Sequence, residues 1–297
     1  MSASLDAIII GAGQAGLAMG YFLARQGYQF LILDGAPAIG HSWRTRYDSL
    51  RLFTPAEYNH LPGLPFPAPA GTYPTRDQVT TYLMQYAKTF QLPVHLNEAV
   101  QAVRQAGAHF LVETEQQRYE AKQVVIATGP FQRPFVPTLA RDLAPSVYQL
   151  HSAAYQNPTH LPPGEVLVVG AGNSGAQIAE ELAPTRQVYL AAGHGLRTLP
   201  QRLLGKDTFW WLHRLGLMSL PITSPLGKHM SRLEPIFGTD IQRLVREHGL
   251  KLVGRAQGAR GKWIDLEGGE ALQVPTVIWA TGFRPDFGWV DGPVLDE

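Results

Sequence analysis

The pattern Gly-x-Gly-x-x-Gly occurs twice in this chain, and each copy directly follows a short apolar run. The first copy reads GAGQAG at 11–16, behind the apolar residues 7–10, and the second reads GAGNSG at 170–175, behind 166–169. Between a strand and a helix this pattern is typical of dinucleotide-binding folds, because its glycines permit a tight turn and close approach of a pyrophosphate. Two copies this far apart predict two bound dinucleotides.

The first repeat carries the other parts of a βαβ unit. A helix is predicted over 14–26 with Gly27 at its carboxyl end, and a second strand over 29–33 ends at Asp34. The N–H groups at a helix N-terminus favour an anion, and an acid at the position of Asp34 accepts a hydrogen bond from a ribose hydroxyl. This repeat is therefore predicted to bind FAD, and the second repeat a nicotinamide nucleotide that donates hydride.

The second repeat lacks that acid. Aligned residue by residue from its first glycine, it places Gly193 where the first repeat has Asp34. A carboxylate there would repel the 2′-phosphate of NADP, so its absence admits NADP as well as NAD. Candidate cations for the phosphate are His194, Arg197 and Arg202, and for each of them a solvated loop charge is the alternative reading.

Both repeats later contain an apolar strand that ends in Ala-Thr-Gly, at 127–129 and at 280–282. A capping box formed by Thr75 and Gln78 predicts a helix over 75–90. Further strands are predicted near 93–96, 100–105, 109–114, 117–119, 124–126, 187–191, 251–254, 256–258, 262–266 and 277–279, and further helices near 203–216 and 239–248. The proline-rich and glycine-rich segment 35–75 is predicted to be a functional loop.

Composition narrows the class of protein. The length of 297 residues favours two domains, and 25 basic against 24 acidic side chains leave no excess charge for nucleic acid. The chain has no cysteine, which excludes disulfides, cysteine-ligated metals and a thiol relay. The ten histidines show no zinc-binding spacing, so no metal site is predicted. Without a recognisable secretory signal or membrane span, a cytoplasmic protein is expected.

A series of short motifs runs nearly from end to end in an order that is specific. The motifs are GAGQAG, Gly40-His41-Ser42-Trp43-Arg44, Tyr47-Asp48-Ser49-Leu50-Arg51-Leu52, Tyr73-Pro74-Thr75, the first Ala-Thr-Gly, His151-Ser152-x-x-Tyr155, GAGNSG, Leu199-Pro200, Leu204-Gly205-Lys206 and Ala280-Thr281-Gly282-Phe283. With these motifs the chain resembles the class B flavin-containing monooxygenases, most of all the single-chain bacterial relatives of the plant YUCCA-type enzymes.

The resemblance implies an α/β fold of two Rossmann-like dinucleotide-binding domains. Their expected bounds are 1–155 with 276–297 for FAD, and 160–275 for NADPH or NADH. It also implies that the enzyme reduces FAD with NAD(P)H and forms a C4a-hydroperoxyflavin with O2. One oxygen atom then passes to a small sulfide, amine or ketone. No nucleic acid or membrane span is expected, and a homodimer is a possible assembly.

The candidate cofactor-binding residues fall into two sets. The first set, on the first repeat and the segments after it, is Gly11, Gly13, Gln14, Ala15, Gly16, Asp34, Gly35, Gly40, Trp43, Arg44, Leu52, Val100, Thr128 and Gly129. The second set, on the second repeat, is Gly170, Gly172, Asn173, Ser174, Gly175, Gly193, His194, Arg197, Ala280, Thr281 and Gly282.

The chain departs from the family pattern at several positions. Pro145 and Val147 stand where the family's identifying sequence has Phe and Gly. Phe53 stands where many members carry an Asn that faces the flavin, so Phe53 and Thr54 are the candidate catalytic residues, with Thr54 or ordered water as the donor. Gly193 replaces an Arg, which predicts that NADH is also used.

Two further expectations concern the ending and the reaction. Family members continue after Phe283 with a strand and a helix that close the FAD domain, so either this chain is a truncated version or its true C-terminus is absent from the sequence. If the chain is truncated, weaker binding of FAD is expected. The alternative function is a flavin oxidoreductase that passes electrons from NAD(P)H to a quinone or a protein acceptor without inserting oxygen.

Overall fold

The computed structural model describes residues 5–193, 196–231 and 235–292. Contacts between residues divide the chain into two units, each built from separate stretches of sequence. Unit 1 comprises 1–45, 56–133 and 283–297, and unit 2 comprises 46–55 and 134–282. No helix in these described ranges is long and apolar enough to cross a membrane.

Short strands and helices alternate along the chain. The strands are β1 (Leu5–Ile10), β2 (Phe30–Asp34), β3 (Val94–Leu96), β4 (Val100–Ala106), β5 (His109–Thr114), β6 (Arg118–Ile126), β7 (Arg133–Pro134), β8 (Tyr148–His151), β9 (Val166–Val169), β10 (Val188–Ala191), β11 (Thr198–Leu199), β12 (Arg202–Leu203), β13 (Lys206–Asp207), β14 (Ile236–Phe237), β15 (Lys251–Val253), β16 (Ala256–Arg260), β17 (Trp263–Leu266), β18 (Ala271–Gln273), β19 (Thr276–Trp279), β20 (Phe283–Arg284) and β21 (Val290–Asp291). The α-helices are α1 (Gln14–Arg25), α2 (His41–Arg44), α3 (Arg76–Thr89), α4 (Asn173–Leu182), α5 (Thr208–Arg214), α6 (Pro225–Ser231) and α7 (Ile241–His248). Short 3-10 helices cover Ala56–Tyr58, Thr138–Asp142, Pro158–His160 and Leu217–Ser219.

The main sheet of unit 1 has the order β21-β4-β5-β6-β1-β2-β3. Strand β1 pairs in parallel with β2 on one side and with β6 on the other, and β2 pairs in parallel with β3. Strands β4 and β5 extend the sheet from β6 as antiparallel neighbours. Residues 7–10 of β1 are apolar and buried, as a central strand covered on both faces requires.

Helices α1 and α3 of unit 1 begin where the sequence predicts, whereas the short helix α2 lies within the segment that was predicted to be a loop. Helix α1 starts at Gln14, within the first glycine motif, and a Cβ atom at Gly20 would lie only 2.9 Å from Ile32 Cδ1. This glycine therefore lets α1 approach β2 closely. Helix α3 begins with the predicted capping box, in which Thr75 and Gln78 each accept a hydrogen bond from the other's backbone N–H.

The main sheet of unit 2 has the order β15-β10-β9-β19-β8, and all neighbouring strands in it are parallel. Strand β9 has the place that β1 has in unit 1, between the second strand of its repeat and the strand that ends in Ala-Thr-Gly. The antiparallel strands β16, β17 and β18 form a second layer whose Ala256, Ile264 and Leu266 share a core with Val277 and Trp279.

Two elements differ from their predicted extents. Strand β6 is continuous over Arg118–Ile126 rather than two short runs, because its first half pairs with β5 while its second half pairs with β1. The helix predicted over 203–216 begins only at Thr208, because Leu204 and Gly205 adopt positive φ angles and turn β12 back on β13.

The boundaries between the units also differ from the expected domain bounds. Strands β8 and β19 pair with each other inside the sheet of unit 2, although both were expected in the FAD-binding domain. The reason is that β19 lies between β8 and β9 and hydrogen-bonds to both, so unit 1 resumes only at Phe283. Which nucleotide each unit binds stays a prediction.

Candidate functional site

The first glycine turn lies where β1, β2 and β6 end. Gly11 has a φ of 107°, and a Cβ atom there would lie 2.6 Å from the carbonyl oxygen of Ala127. A Cβ atom at Gly16 would lie 1.9 Å from the carbonyl oxygen of Gly11. Both positions require glycine, Gly11 for its backbone angle and its contact with the end of β6, and Gly16 because α1 starts directly on the turn.

Gly13, the middle glycine of this turn, faces open space. A Cβ atom there would meet no protein atom within 4 Å. Gly13 is the N-cap of α1, and no side chain forms a capping hydrogen bond with the N–H groups of the first turn, which include those of Gln14 and Ala15. A pyrophosphate fits such a place, since it needs both room against the backbone and N–H donors.

Asp34 ends β2 beside this turn. Its Oδ2 accepts a hydrogen bond from Ala12 N at 2.6 Å, and its Oδ1 accepts one from Ala36 N at 2.8 Å. An ionised carboxylate offers about four acceptor positions, so capacity remains for the hydroxyl groups of a ribose. The carboxylate thus holds the turn in place and still fits the role that the sequence predicts for it.

The second glycine turn repeats this geometry within unit 2. Gly170 has a φ of 105°, and a Cβ atom there would lie 2.3 Å from the carbonyl oxygen of Ala280. A Cβ atom at Gly175 would lie 1.9 Å from Gly170 O, whereas one at Gly172 would meet nothing within 4 Å. Gly172 is the N-cap of α4, again without a side-chain cap. The second turn therefore offers the same room and the same donors.

The strand registers correct the alignment of the two repeats. Gly11 N donates to Leu33 O at 2.7 Å, and Gly170 N donates to Ala191 O at 3.0 Å. Asp34 in unit 1 therefore corresponds to Ala192 in unit 2, and the expected match of Asp34 with Gly193 is wrong by one residue. The physical reason is that the connection from the second glycine turn to its next strand is one residue shorter.

The second repeat still lacks an acid at the position that corresponds to Asp34, because Ala192 carries no charge. Gly193 is exposed and follows the end of β10. Of the cations proposed from the sequence, Arg197 and Arg202 are exposed, and His194 lies outside the described residues. The contact of any of them with a phosphate stays a prediction.

Several candidate residues of unit 1 serve packing. A Cβ atom at Gly40 would lie 3.0 Å from Thr80 Cγ2, and one at Gly35 would lie 3.1 Å from Ala99 Cβ. Gly40 has a φ of 76° and caps α2, so it lets that short helix contact α3. Trp43 is half-buried and Arg44 is exposed, and their contacts with FAD stay predictions.

The loop after β6 has an anchor that the sequence analysis missed. Gln132 Nε2 donates to Thr128 Oγ1 at 2.8 Å and to Gly129 O at 2.9 Å, and its Oε1 accepts from Asp286 N. Gln132 therefore fixes the first Ala-Thr-Gly loop beside the glycine turn. Its position three residues after the motif is the only sequence signal for this role.

Val100, another candidate cofactor residue of unit 1, is the first residue of β4 and is half-buried.

Phe53, a candidate catalytic residue, belongs to an aromatic cluster of unit 2. Its ring lies 6.0 Å from that of Phe209 and 5.2 Å from that of Phe237, nearly parallel to both. Gln201 Nε2 donates to Phe53 O at 3.0 Å. Leu52 and Thr54 on either side are half-buried. The sequence did not identify the two partner rings, because they follow Phe53 by more than 150 residues.

Asn173 ties this aromatic cluster to the second glycine turn. Its Oδ1 accepts a hydrogen bond from Phe237 N at 2.9 Å, and its Nδ2 donates to Pro235 O at 3.3 Å. The candidate cofactor residue Asn173 therefore uses its side chain within the protein. The neighbouring Ser174 is exposed. The contacts of Asn173 and Ser174 with a nucleotide stay predictions.

Two buried tyrosines from the family motifs hold α4 in place. The hydroxyl group of Tyr47 donates to Gln177 Oε1 at 2.9 Å, and that of Tyr155 donates to Glu181 Oε2 at 2.8 Å. Burial raises the pKa of Tyr47 to about 12 and also raises the pKa of Tyr155, so both hydroxyl groups remain protonated donors. These motif residues thus position the helix whose N-terminus forms the second turn.

The second Ala-Thr-Gly loop is held by hydrogen bonds of the same unit. Thr281 Oγ1 donates to Phe135 O, and Phe135 N donates to Gly282 O at 3.0 Å. His151 Nε2 lies 2.9 Å from the same Gly282 oxygen. Ala280 contacts the glycine turn directly, as the position of its carbonyl oxygen beside Gly170 shows.

Among the described residues, no three side chains of the metal-binding types lie close enough together to hold a metal ion.

Comparison with known proteins places this geometry in a family. Residues 8–196 match the family model described as pyridine nucleotide-disulphide oxidoreductase. An uncharacterized CzcO-like oxidoreductase of Geobacillus kaustophilus is 45% identical over 295 residues, which cover 99% of this chain and 85% of that protein. A probable indole-3-pyruvate monooxygenase of Arabidopsis thaliana is 31% identical, over 98% of this chain and 77% of its own length.

A solved structure agrees with these relatives. A flavin-containing monooxygenase from Stenotrophomonas maltophilia superposes with a TM-score of 0.80 at 30% identity, covering 98% of this chain and 82% of that chain. The predicted α/β fold with two Rossmann-like dinucleotide-binding domains is confirmed.

Proposed function

Because this chain belongs to the pyridine nucleotide-disulphide oxidoreductase family and, within it, to the flavin-containing monooxygenases, we propose that it transfers one atom of O2 to a sulfide, an amine or a ketone. It is an oxidoreductase that uses FAD and NAD(P)H, and its substrate is a small molecule.

One observation supports the proposal: the same open cradle occurs once in each unit. Each cradle consists of a glycine turn, at 11–16 or 170–175, and the N-terminus of the helix that starts on it, α1 or α4. In each cradle two glycines are required by backbone contacts, while the middle glycine leaves room beside an uncapped helix. FAD bound to the first cradle would supply the redox chemistry with O2. The protein's own residues would bind and orient the two nucleotides.

The absence of cysteine argues against the other reaction for which the family is named. Disulfide reduction by such enzymes needs a pair of thiols, and this chain contains none. The alternative of electron transfer to a quinone or a protein acceptor is separated from oxygen transfer by experiment.

An isotope experiment tests oxygen transfer. The purified protein would receive NADPH or NADH, ¹⁸O2 and methyl phenyl sulfide, and the sulfoxide would be analysed by mass spectrometry. We expect one ¹⁸O atom per molecule of sulfoxide. The same assay with a cyclic ketone and a tertiary amine assigns the acceptor class. Consumption of NAD(P)H only on addition of a quinone, with no labelled product from any acceptor, would favour the alternative function.

Matched substitutions test the assignment of the two cradles. The backbone at Gly13 and Gly172 is extended and open to any side chain, so Gly13→Val and Gly172→Val should fold. Each valine would occupy the space proposed for a pyrophosphate. We expect Gly13→Val to be purified without FAD. We expect Gly172→Val to keep FAD but to be reduced by NAD(P)H at least about tenfold more slowly at subsaturating coenzyme, which corresponds to about 1.4 kcal/mol of binding.

Each of these variants is the other's control. The opposite pattern, in which Gly172→Val loses FAD and Gly13→Val retains it, would reverse the assignment of nucleotides to the two units. The homodimer and the cytoplasmic location stay predictions of the sequence.

A further inference from the structure

The carboxyl end of β10 has a parallel neighbour on its outer side, β15, as that of β2 has β3 in unit 1. Strand β15 pairs in parallel with β10, with Ala191 opposite Val253, and Ala192 N donates to Val253 O at 3.2 Å. The loops that leave these two strands therefore start side by side. A Rossmann fold binds the adenosine ribose at the end of its second strand, which here is β10.

Arg255 occupies the loop that leaves β15, and its backbone is fixed. Arg255 O accepts a hydrogen bond from Glu267 N at 2.8 Å. The preceding Gly254 lies so close to the β17–β18 hairpin that a Cβ atom there would be 2.4 Å from Glu267 O. Only glycine permits this approach, so the hairpin determines where Arg255 begins.

The side chain of Arg255 extends past Gly193. A Cβ atom at Gly193 would lie 3.8 Å from Arg255 Cδ, 3.9 Å from its Nε and 4.0 Å from its Cγ. The arginine is exposed, and its guanidinium makes no ion pair or hydrogen bond with any residue in the described ranges. Within the part of the chain that the structure describes, an unpaired cation therefore lies beside the loop that follows β10, where the second repeat has no carboxylate.

We propose that Arg255 binds the 2′-phosphate of NADPH and so makes this chain prefer NADPH to NADH. This inference rests on the proposed function, because it assigns the nicotinamide nucleotide to the second cradle. The guanidinium presents several N–H donors in a planar fork that suits a phosphate. In this chain the cation lies in the loop after β15, whereas the family pattern places an Arg at the position of Gly193.

The glycine at 193 has a role in this arrangement. A larger residue there would place its side chain against the stem of Arg255, while glycine leaves the stem free to lie across the backbone. The alanine at 192 complements it, since a carboxylate at that register position would attract the guanidinium and repel a phosphate. Both small residues thus favour a phosphate as the partner of Arg255.

Equilibrium binding tests the proposal independently of oxygen transfer. Adenosine 2′,5′-bisphosphate and 5′-AMP would be titrated calorimetrically into the FAD-loaded protein. We expect the wild type to bind the bisphosphate more tightly than 5′-AMP. In Arg255→Gln the affinity for the bisphosphate should fall about tenfold or more, as expected for loss of a charge-assisted hydrogen bond. The affinity for 5′-AMP should not change, and Arg255→Lys should lie between the wild type and Arg255→Gln.

Arg260→Gln provides the matched control. Arg260 lies on β16 after the same loop, is exposed and pairs with Asp265 at 3.3 Å. Its replacement removes the same charge from the same layer of the unit and should leave both affinities unchanged. In steady-state kinetics Arg255→Gln should raise the KM for NADPH in parallel with the binding loss, without changing kcat or the KM for NADH.

Two outcomes would overturn the proposal. If Arg255→Gln binds the bisphosphate as tightly as the wild type, another group holds the 2′-phosphate. If Arg260→Gln weakens binding as much as Arg255→Gln, only the general positive charge of this surface matters. Neither outcome bears on oxygen transfer, and failure of the isotope experiment would leave the titrations unaffected.

Discussion

His151 shows how one buried side chain links two segments of unit 2. His151 is the last residue of β8 and is 8% exposed. Its Nδ1 accepts a hydrogen bond from Ala153 N at 3.1 Å. Its Nε2 therefore carries the proton and donates to Gly282 O at 2.9 Å. Burial lowers the pKa of His151 below its ordinary value, and the charge of Arg46 lowers it further, while the bond to Gly282 opposes both.

This environment predicts a loss of stability in mild acid. The pKa of His151 is lower in the folded protein than in the unfolded chain. As the pH falls below about 6.5, the unfolded chain therefore binds a proton at this residue before the folded protein does. The stabilisation is complete above that pH and is lost as the pH falls through the lowered pKa. His151→Gln keeps a donor toward Gly282 O and removes the titration. Its unfolding free energy in urea should therefore depend less on pH below about 6.5, by at most about 1.4 kcal/mol per pH unit.

The exposed His160 supplies the control for this measurement. His160→Gln would be measured under the same conditions, to separate the effect of His151 from the general effect of replacing a histidine. Parallel curves for His151→Gln and the wild type would mean that His151 titrates alike in the folded and unfolded chains.

At the level of elements, the two repeats differ by one residue in the connection from the glycine turn to the next strand. This difference makes Ala192, not Gly193, the counterpart of Asp34. We expect Ala192→Asp to bind the ribose diol of NADH as Asp34 fits a ribose, and to repel the 2′-phosphate of NADPH. A hydrogen bond to a charged group contributes about 1.5–3 kcal/mol, so the preference for NADPH over NADH in kcat/KM should fall about tenfold or more.

Gly193→Asp distinguishes the register from the simple alignment. Its side chain would start within 4.0 Å of Arg255 and pair with the guanidinium. We expect it to weaken NADPH binding without improving the use of NADH. If Gly193→Asp, and not Ala192→Asp, gains affinity for NADH, the correspondence read from the strand registers is wrong.

The sequence predicted the elements that local patterns determine. Both glycine turns, the starts of α1 and α3 and the central strands follow from glycine spacing, capping residues and apolar runs. It could not predict contacts between residues far apart in sequence, such as Gln132 with Asp286, Phe53 with Phe237 and Arg255 with Gly193. The exposed Lys122 and Gln123 interrupted the apolar pattern of β6, so only strand pairing revealed that it is continuous.

On the scale of the whole molecule, the chain is a duplicated plan whose copies rely on separate sets of contacts. The turn at Gly11 is formed with Ala127 and held by Asp34, which all belong to unit 1. The turn at Gly170 is formed with Ala280, in unit 2. In each copy the strand before Ala-Thr-Gly borders the strand before the glycines. In each copy the named contacts that shape the glycine turn therefore come from its own unit.

This separation predicts that the second cradle binds its nucleotide when the first is empty. Protein stripped of FAD, and the Gly13→Val variant, should bind adenosine 2′,5′-bisphosphate with a dissociation constant within about twofold of the FAD-loaded wild type, a difference of about 0.4 kcal/mol. The reason is that the atoms which shape the turn at Gly170, including Ala280 O, all belong to unit 2. Calorimetric titration of the three proteins under identical buffer and salt measures it. A loss of tenfold or more without FAD would show that the two cradles are coupled, since binding at one would then change the free energy of binding at the other.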